Sequence, residues 1–343
     1  MGHYAVLYGK LGAIKRDFLS PADVSQLEEM QNYEQAINYL VNKGVLKRIE
    51  QGGISARQVE RQLRENFLSK VNSFRFYLPG LERSFFEFLV YKYDIYNLKI
   101  LLALHFSHHD REVAEFVYRN TPLFKRYAFL MDRESFLDKD LLLAFKGTAI
   151  FPFLMHAYRN YKQKGDLFFL DTVLEDEYYQ HMLKILSGMR DAKLERVLSR
   201  VLLVHDIIWG MRMHFIYSMP KEEIFYYLVL PLPGISSSDL LNLFSVEGVM
   251  EFRDRLKSFL CDKMRVFEDV EFPSDLVGIK KILWDALMRE LWSVSSSLDV
   301  LSLSGVLGWI LCQEMMLDKV GFVLYRLFMG EEKRGDYAQV VSR

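Results

Sequence analysis

A helical run at residues 88–102 constrains this chain more than any other feature, because polar residues interrupt its apolar and aromatic pattern. Asp94 and Asn97 lie three residues apart, and residues three or four apart share one face of a helix. Both therefore stand beside Leu98 and Leu101, where apolar packing is expected. The run predicts a helix on which polar groups occupy packing positions.

The same type of helix recurs at a constant spacing. Asp206 lies 112 residues after Asp94, and Asp318 lies another 112 residues further on, each within an apolar helical pattern. Apart from the acidic residue, the three sequence windows around these positions share mainly the spacing of their apolar residues. The spacing alone therefore leaves a three-fold repeat and a chance recurrence equally open.

Glycine and proline separate helical patterns in this chain rather than hairpin strands, and alternating strand patterns are scarce. Only 8 Pro and 19 Gly occur among 343 residues, and half of the residues are hydrophobic, which favours long helices around a sizeable core. Ser20, Pro21 and Asp23 form a capping-box pattern that predicts a helix running through Leu40. We predict an all-α fold.

Composition excludes several classes of protein. The net charge is about −1, with no basic domain, so nucleic acid is not an expected partner. The longest apolar runs are shorter than the about 18–20 residues that span a bilayer. Cys261 and Cys312 are the only cysteines, which suits a reducing cytoplasm, and no secretory signal is evident at the N-terminus.

No catalytic residue, metal site or cofactor site is expected. A phosphate-binding glycine loop and a serine nucleophile elbow are both missing from the sequence. His105 and His108 have the spacing of two metal ligands, but their position favours a solvated helix end. The His205-Asp206 doublet resembles that of the HD-type metal phosphohydrolases, although the bulky Trp209 follows it. That enzyme class and a helical scaffold or adaptor protein remain as alternatives.

Residues 93–102 resemble the Tyr-Asp-x-x-Asn-Leu-Lys-x-Leu-Leu helix of the C subunit of A/V-type rotary ATPases, which is called the d subunit in eukaryotes. Residues 206–214, followed by a helix start at Ser218 and a Pro/Gly break at 231–234, are similar to the second repeat of that family. Residues 312–322 are similar to its final helix. The resemblance covers nearly the whole chain.

The later windows depart from the family pattern. Trp209 and Gly321 replace the Asn of the motif, and Val323 stands where Arg is common. These departures indicate a divergent member of the family.

The resemblance implies a funnel-like all-α body formed by residues 1–343. Three helical repeats related by pseudo-three-fold symmetry would occupy about residues 1–120, 121–233 and 234–343. Asp94, Asn97, Asp206 and Asp318 would be the residues that define the repeat. Of these, we interpret Asp94 and Asn97 as a polar contact to a neighbouring helix end, with a partly solvated pair as the alternative.

The function implied by the resemblance is mechanical and non-catalytic. Such a protein belongs to the central stalk and joins the shaft subunits of the D and F type to the membrane rotor ring of the c or K type. It would pass torque between ATP turnover and the translocation of H⁺ or Na⁺. Its expected location is cytoplasmic, held peripherally at the cytoplasmic face of the membrane through the ring.

Overall fold

The computed structural model describes residues 2–47, 55–107, 116–131, 133, 136–165, 167–229, 232, 234–264, 267–268, 270–296 and 302–330. Within these ranges the elements are helical and no strand occurs; Leu232 and Ile235 form an isolated bridge. The prediction of an all-α fold is confirmed.

Fifteen α-helices lie within the described ranges. In chain order they are α1 (Gly2–Lys15), α2 (Pro21–Glu29), α3 (Tyr33–Asn42), α4 (Ala56–Asn72), α5 (Gly80–Ser107), α6 (Phe124–Met131), α7 (Asp138–Phe145), α8 (Phe151–Lys164), α9 (Leu167–Met189), α10 (Ala192–Met211), α11 (Lys221–Ile224), α12 (Ser237–Leu243), α13 (Val249–Lys263), α14 (Leu276–Ser296) and α15 (Leu303–Met329). Short 3-10 helices follow α4 and α11, and a π-helical turn at Arg212–Ile216 follows α10.

Contacts along the chain divide it into two compact units. The first comprises Met1–Phe18 and Glu34–Arg190, and the second comprises Leu19–Tyr33 and Asp191–Arg343. The chain therefore enters the second unit at α2 and returns to the first before completing it. The three repeats and their boundaries near residues 120 and 233 stay a prediction.

Helix α5 is the central element of the first unit. It packs against α9, α4, α6 and the 3-10 helix at Ser73–Tyr77. Phe85, Phe86, Leu98 and Leu101 of this helix are buried, as expected for a helix with neighbours on several sides. Phe88 stacks on Tyr178 of α9 with ring centroids 5.5 Å apart. The predicted motif helix is thus a core helix.

Helix α15 has the corresponding place in the second unit. Every residue from 303 to 317 is buried, and the helix packs against α14, α10 and α2. Gly308 permits a close approach to α14, because an added Cβ would lie 3.1 Å from the carbonyl oxygen of Leu291. Neither this helix nor another in the described ranges combines the length and hydropathy required to cross a membrane.

The single helix predicted from Ser20 to Leu40 is wrong, because the chain breaks between α2 and α3. The start is as expected: the Ser20 hydroxyl accepts from the Asp23 N–H, and the Asp23 carboxylate accepts from the Ser20 N–H. At the other end, the Glu28 carbonyl accepts from the Arg326 guanidinium at 2.8 Å. In a continuous helix that carbonyl would accept from the backbone four residues later. A tertiary contact replaces the helical one.

Gly210 of α10 offers a test of the packing in the second unit. An added Cβ would lie 2.1 Å from the buried Phe244 ring, which cannot move without disturbing the core. We expect Gly210→Ala to lower the free energy of unfolding by about 1–3 kcal/mol, measured by urea denaturation. Gly188→Ala is the control, because its Cβ would meet only Leu81 at 3.5 Å. That change should stabilise by at most about 1 kcal/mol, and equal effects would contradict the packing.

Candidate functional site

Asp94 lies on α5 and is completely buried. Its Oδ1 atom accepts from the Thr121 hydroxyl at 2.6 Å and from the Tyr127 hydroxyl at 2.9 Å. The Leu123 backbone N–H lies 3.3 Å from each of its two carboxylate oxygens. Three neutral donors therefore converge on this carboxyl group, two from the segment that leads into α6 and one from α6 itself.

Asn97, one turn later on α5, is equally buried. Its side-chain amide pairs with the backbone of Tyr118 in both directions: Nδ2 donates to the carbonyl at 2.7 Å, and Oδ1 accepts from the N–H at 2.9 Å. Nδ2 also donates to the Tyr127 hydroxyl at 2.6 Å. Because Tyr127 in turn donates to Asp94, the two motif residues belong to one hydrogen-bonded cluster. We call Asp94, Asn97, Tyr118, Thr121, Leu123 and Tyr127 the α5 polar cluster.

The local sequence explains why the donors gather here. Leu123 directly precedes α6, so its N–H belongs to the start of a helix, where free N–H groups and the helix dipole favour a negative group. Tyr127, in the first turn of α6, is buried by stacking on Phe145 at 5.1 Å. Tyr118 packs against Tyr93 and Tyr96 of α5. Aromatic contacts thus hold the donors at hydrogen-bonding distance from the motif.

Burial sets the electrostatics of the cluster. Desolvation raises the pKa of Asp94 to about 7, against the opposing effect of the hydrogen bonds from Thr121, Tyr127 and Leu123. Desolvation also raises the pKa of the Tyr127 phenol, and the nearby Asp94 carboxylate raises it further. At neutral pH the cluster contains a neutral phenol and a carboxyl group close to its titration midpoint.

Lys99, the third polar residue of the motif, faces a different helix. Its ammonium group lies 2.6 Å from Glu175 and 3.9 Å from Asp171, both on α9. Burial alone would lower the pKa of Lys99, but the two carboxylates outweigh it and the pKa is raised. The lysine therefore stays charged and joins α5 to α9. The motif residues connect one helix to two different sets of neighbours.

Asp206 occupies the corresponding position on α10 and is also completely buried. Its Oδ1 atom accepts from the Val229 N–H at 3.1 Å and lies 3.4 Å from His205 Nδ1. Its Oδ2 atom has no hydrogen-bond partner among the residues that the structure describes. Burial raises the pKa of Asp206, opposed by His205 and Val229. Trp209, in the place of the Asn, contacts the Arg212 guanidinium instead.

Asp318 differs from both. It lies on the exposed side of α15, whereas its neighbour in sequence, Leu317, is buried. It acts electrostatically on Lys280 of α14, whose pKa is nevertheless lowered by burial and by Arg212. The structure therefore buries two of the three acidic positions, and only the first has the full set of partners. The role of all four residues as repeat markers stays a prediction.

The histidines with metal-like spacing are only partly described. His105 pairs with Asp138 of α7 at 2.6 Å and stacks on Phe136. The Lys162 ammonium group, 3.3 Å from Asp138, and His105 together lower the pKa of that carboxyl against the effect of burial. His108 lies outside the described residues. In the described part of the chain, no three His, Cys, Asp or Glu side chains are grouped as metal ligands.

Sequence patterns do not reveal three residues of the polar cluster: Tyr118, Thr121 and Tyr127. A signal for one of them exists, because Thr121 precedes Pro122, a pattern typical of a helix start. The pairing of Thr121 with Asp94 spans 27 residues and is a tertiary contact.

Chemically, the cluster consists of mutually satisfied groups without a water-accessible nucleophile. It serves to fasten the start of α6 to α5.

Asn97→Ala tests the importance of this fastening. The change leaves the buried N–H and carbonyl of Tyr118 without partners and should lower the free energy of unfolding by roughly 2–5 kcal/mol. The matched control is Asn120→Ala, in the same segment, because Asn120 is exposed and, among the described residues, its amide donates to the Glu65 carbonyl alone. That control should change stability by less than about 0.5 kcal/mol. Similar losses in both variants, measured by urea denaturation, would contradict the assignment.

Comparison with known proteins places this chain in a family. Residues 7–318 match the family described as ATP synthase (C/AC39) subunit. A similar protein is the C subunit of the A-type ATP synthase of Methanosphaera stadtmanae, which is 24% identical over 184 residues. That alignment covers 53% of this chain and 45% of the relative.

The family match extends over both compact units and includes Asp94, Asn97, Asp206 and Asp318. Members of this family are non-catalytic structural subunits, in agreement with the expectation that the chain is not an enzyme. The resemblance noted in the motif helix is confirmed: this chain belongs to the ATP synthase (C/AC39) subunit family.

Proposed function

We propose that this chain is the central-stalk protein that joins the shaft to the membrane rotor ring of an A/V-type rotary ATPase. It passes torque between ATP turnover in the head and H⁺ or Na⁺ translocation in the membrane. Its partners are shaft subunits of the D and F type and ring subunits of the c or K type. It is held at the cytoplasmic face of the membrane through the ring.

The observation that carries this proposal is the family match across residues 7–318. The relative from Methanosphaera stadtmanae, a C subunit of an A-type ATP synthase by name, points in the same direction. The three-repeat, funnel-like body belongs to the same proposal. Its repeats are residues 1–120, 121–233 and 234–343, with Asp94, Asn97, Asp206 and Asp318 as their markers.

The internal contacts of the chain suit a body that bears load. Directional hydrogen bonds fix α6 to α5 through Asp94 and Asn97, and a partly buried ion pair fixes α9 to α5 through Lys99. In the second unit, ion pairs join α14 to α10 through Arg200 and Glu290, and α14 to α15. Such contacts resist sliding of one helix along another better than apolar packing alone, because each requires a fixed geometry.

Purification from the native host tests the proposal. Membranes containing the tagged chain are solubilised in a mild detergent, and the bound proteins are identified by mass spectrometry. We expect shaft and rotor-ring subunits in near-stoichiometric amounts, and none with an unrelated tagged protein. Recovery of other proteins without any rotary-ATPase component would contradict the proposal and favour an adaptor. Bound metal with a phosphatase activity that His205→Ala abolishes would favour a metal phosphohydrolase.

A coupling assay separates mechanical function from mere association. In vesicles from cells that lack the chain, ATP hydrolysis by the head should continue while ATP-driven ion uptake falls to background. Adding the purified chain should restore uptake, because torque then reaches the ring. Ion uptake at the normal rate without the chain would contradict the role in torque transmission even if the proteins co-purify.

A further inference from the structure

The segment at residues 116–123 is attached to α5 at two buried points. Tyr118 is held through its backbone by Asn97, and Thr121 and Leu123 are held by Asp94. Both anchoring residues are completely inaccessible to solvent. Opening of this segment therefore requires Asp94 to exchange its protein partners for water.

Asp94 has no cation among its hydrogen-bond partners in the described part of the chain. Its donors are two hydroxyl groups and one backbone amide, all of them neutral. Lys99, a cation on the same helix, is directed to α9, where it pairs with Glu175 and Asp171. A buried carboxylate without a cationic partner is costly to ionise, and neutral donors reduce that cost only in part.

Among the residues that the structure describes, the titratable groups that interact with Asp94 are phenols. Tyr127 approaches from α6 and Tyr91 from α5 itself, and the Asp94 carboxylate raises the pKa of each of them. Charged side chains on the surrounding elements, Glu87 of α5, Arg75 of the 3-10 helix and Arg126 of α6, act on Tyr91. Neither phenol ionises near neutral pH, so Asp94 is the group of the cluster that changes charge there.

We propose that Asp94 makes the attachment of residues 116–123 and the start of α6 sensitive to pH. The protonated carboxyl group keeps the segment closed, and ionisation of the buried group favours opening. The device belongs to the first unit alone and does not depend on which partners the chain binds.

The direction follows from proton linkage. The pKa of Asp94 is about 7 when the segment is closed, and it returns towards its ordinary value of 3.8 when the group is solvated. The closed form therefore binds the proton more tightly. Its stability is complete at acid pH and declines as the pH rises from about 4 to about 7, beyond which it is constant.

Hydrogen exchange of the full-length chain, followed by mass spectrometry, measures this opening directly. Protection factors of peptides within residues 116–131, corrected for the intrinsic exchange rate, give the opening equilibrium constant at each pH. We expect that constant to rise by about a hundredfold between pH 5 and pH 8, most steeply below pH 7. An opening constant that stays level over this range would overturn the proposal.

Two variants assign the effect to Asp94. Asp94→Asn should abolish the pH dependence in residues 116–131, whereas Asp206→Asn, a change of a buried carboxyl group in the second unit, should leave it intact. Should Asp94→Asn fail to fold, Tyr127→Phe removes one donor to the carboxylate and should move the midpoint to higher pH. A pH dependence that persists in Asp94→Asn, or a midpoint that Tyr127→Phe leaves unmoved, would contradict the assignment.

Discussion

The burial of Asp94 and Asn97 is the constraint on which the first unit depends. Two polar groups without access to water destabilise a helical core by several kcal/mol unless each finds a partner. The chain supplies those partners from one segment, through the backbone of Tyr118 and Leu123 and the side chains of Thr121 and Tyr127. The position and direction of α6 follow from this requirement.

The same motif also fixes α9, because Lys99 on another face of α5 meets Glu175 and Asp171. A single helix therefore determines the placement of neighbours on two sides by directional contacts. In the second unit Asp206 retains one backbone donor, while Trp209 replaces the amide and contacts Arg212. The complete set of hydrogen bonds is therefore found at Asp94 and Asn97 in the first unit, whereas Asp206 has one backbone donor and Asp318 is exposed.

Local patterns in the sequence predict the helical class, the cap at Ser20 and the position of the motif. They cannot predict that Asp94 is buried whereas Asp318 is exposed. The two residues have equivalent positions in similar helical patterns, and their burial depends on which elements pack against each helix. Nor can they predict the role of Tyr127, because its pairing with Asp94 spans 33 residues. The break after α2 escapes prediction for a similar reason: the Glu28 carbonyl in its last turn accepts from Arg326, almost 300 residues away.

A double-mutant cycle between Asn97 and Tyr127 tests the central claim most directly. Asn97→Ala, Tyr127→Phe and the double variant are compared with the unaltered chain by urea denaturation. If the cluster acts as one hydrogen-bonded unit, the two changes will be non-additive, with a coupling free energy of about 1 kcal/mol or more. Additive effects within about 0.3 kcal/mol would contradict the account, because the two side chains would then contribute to the fold independently.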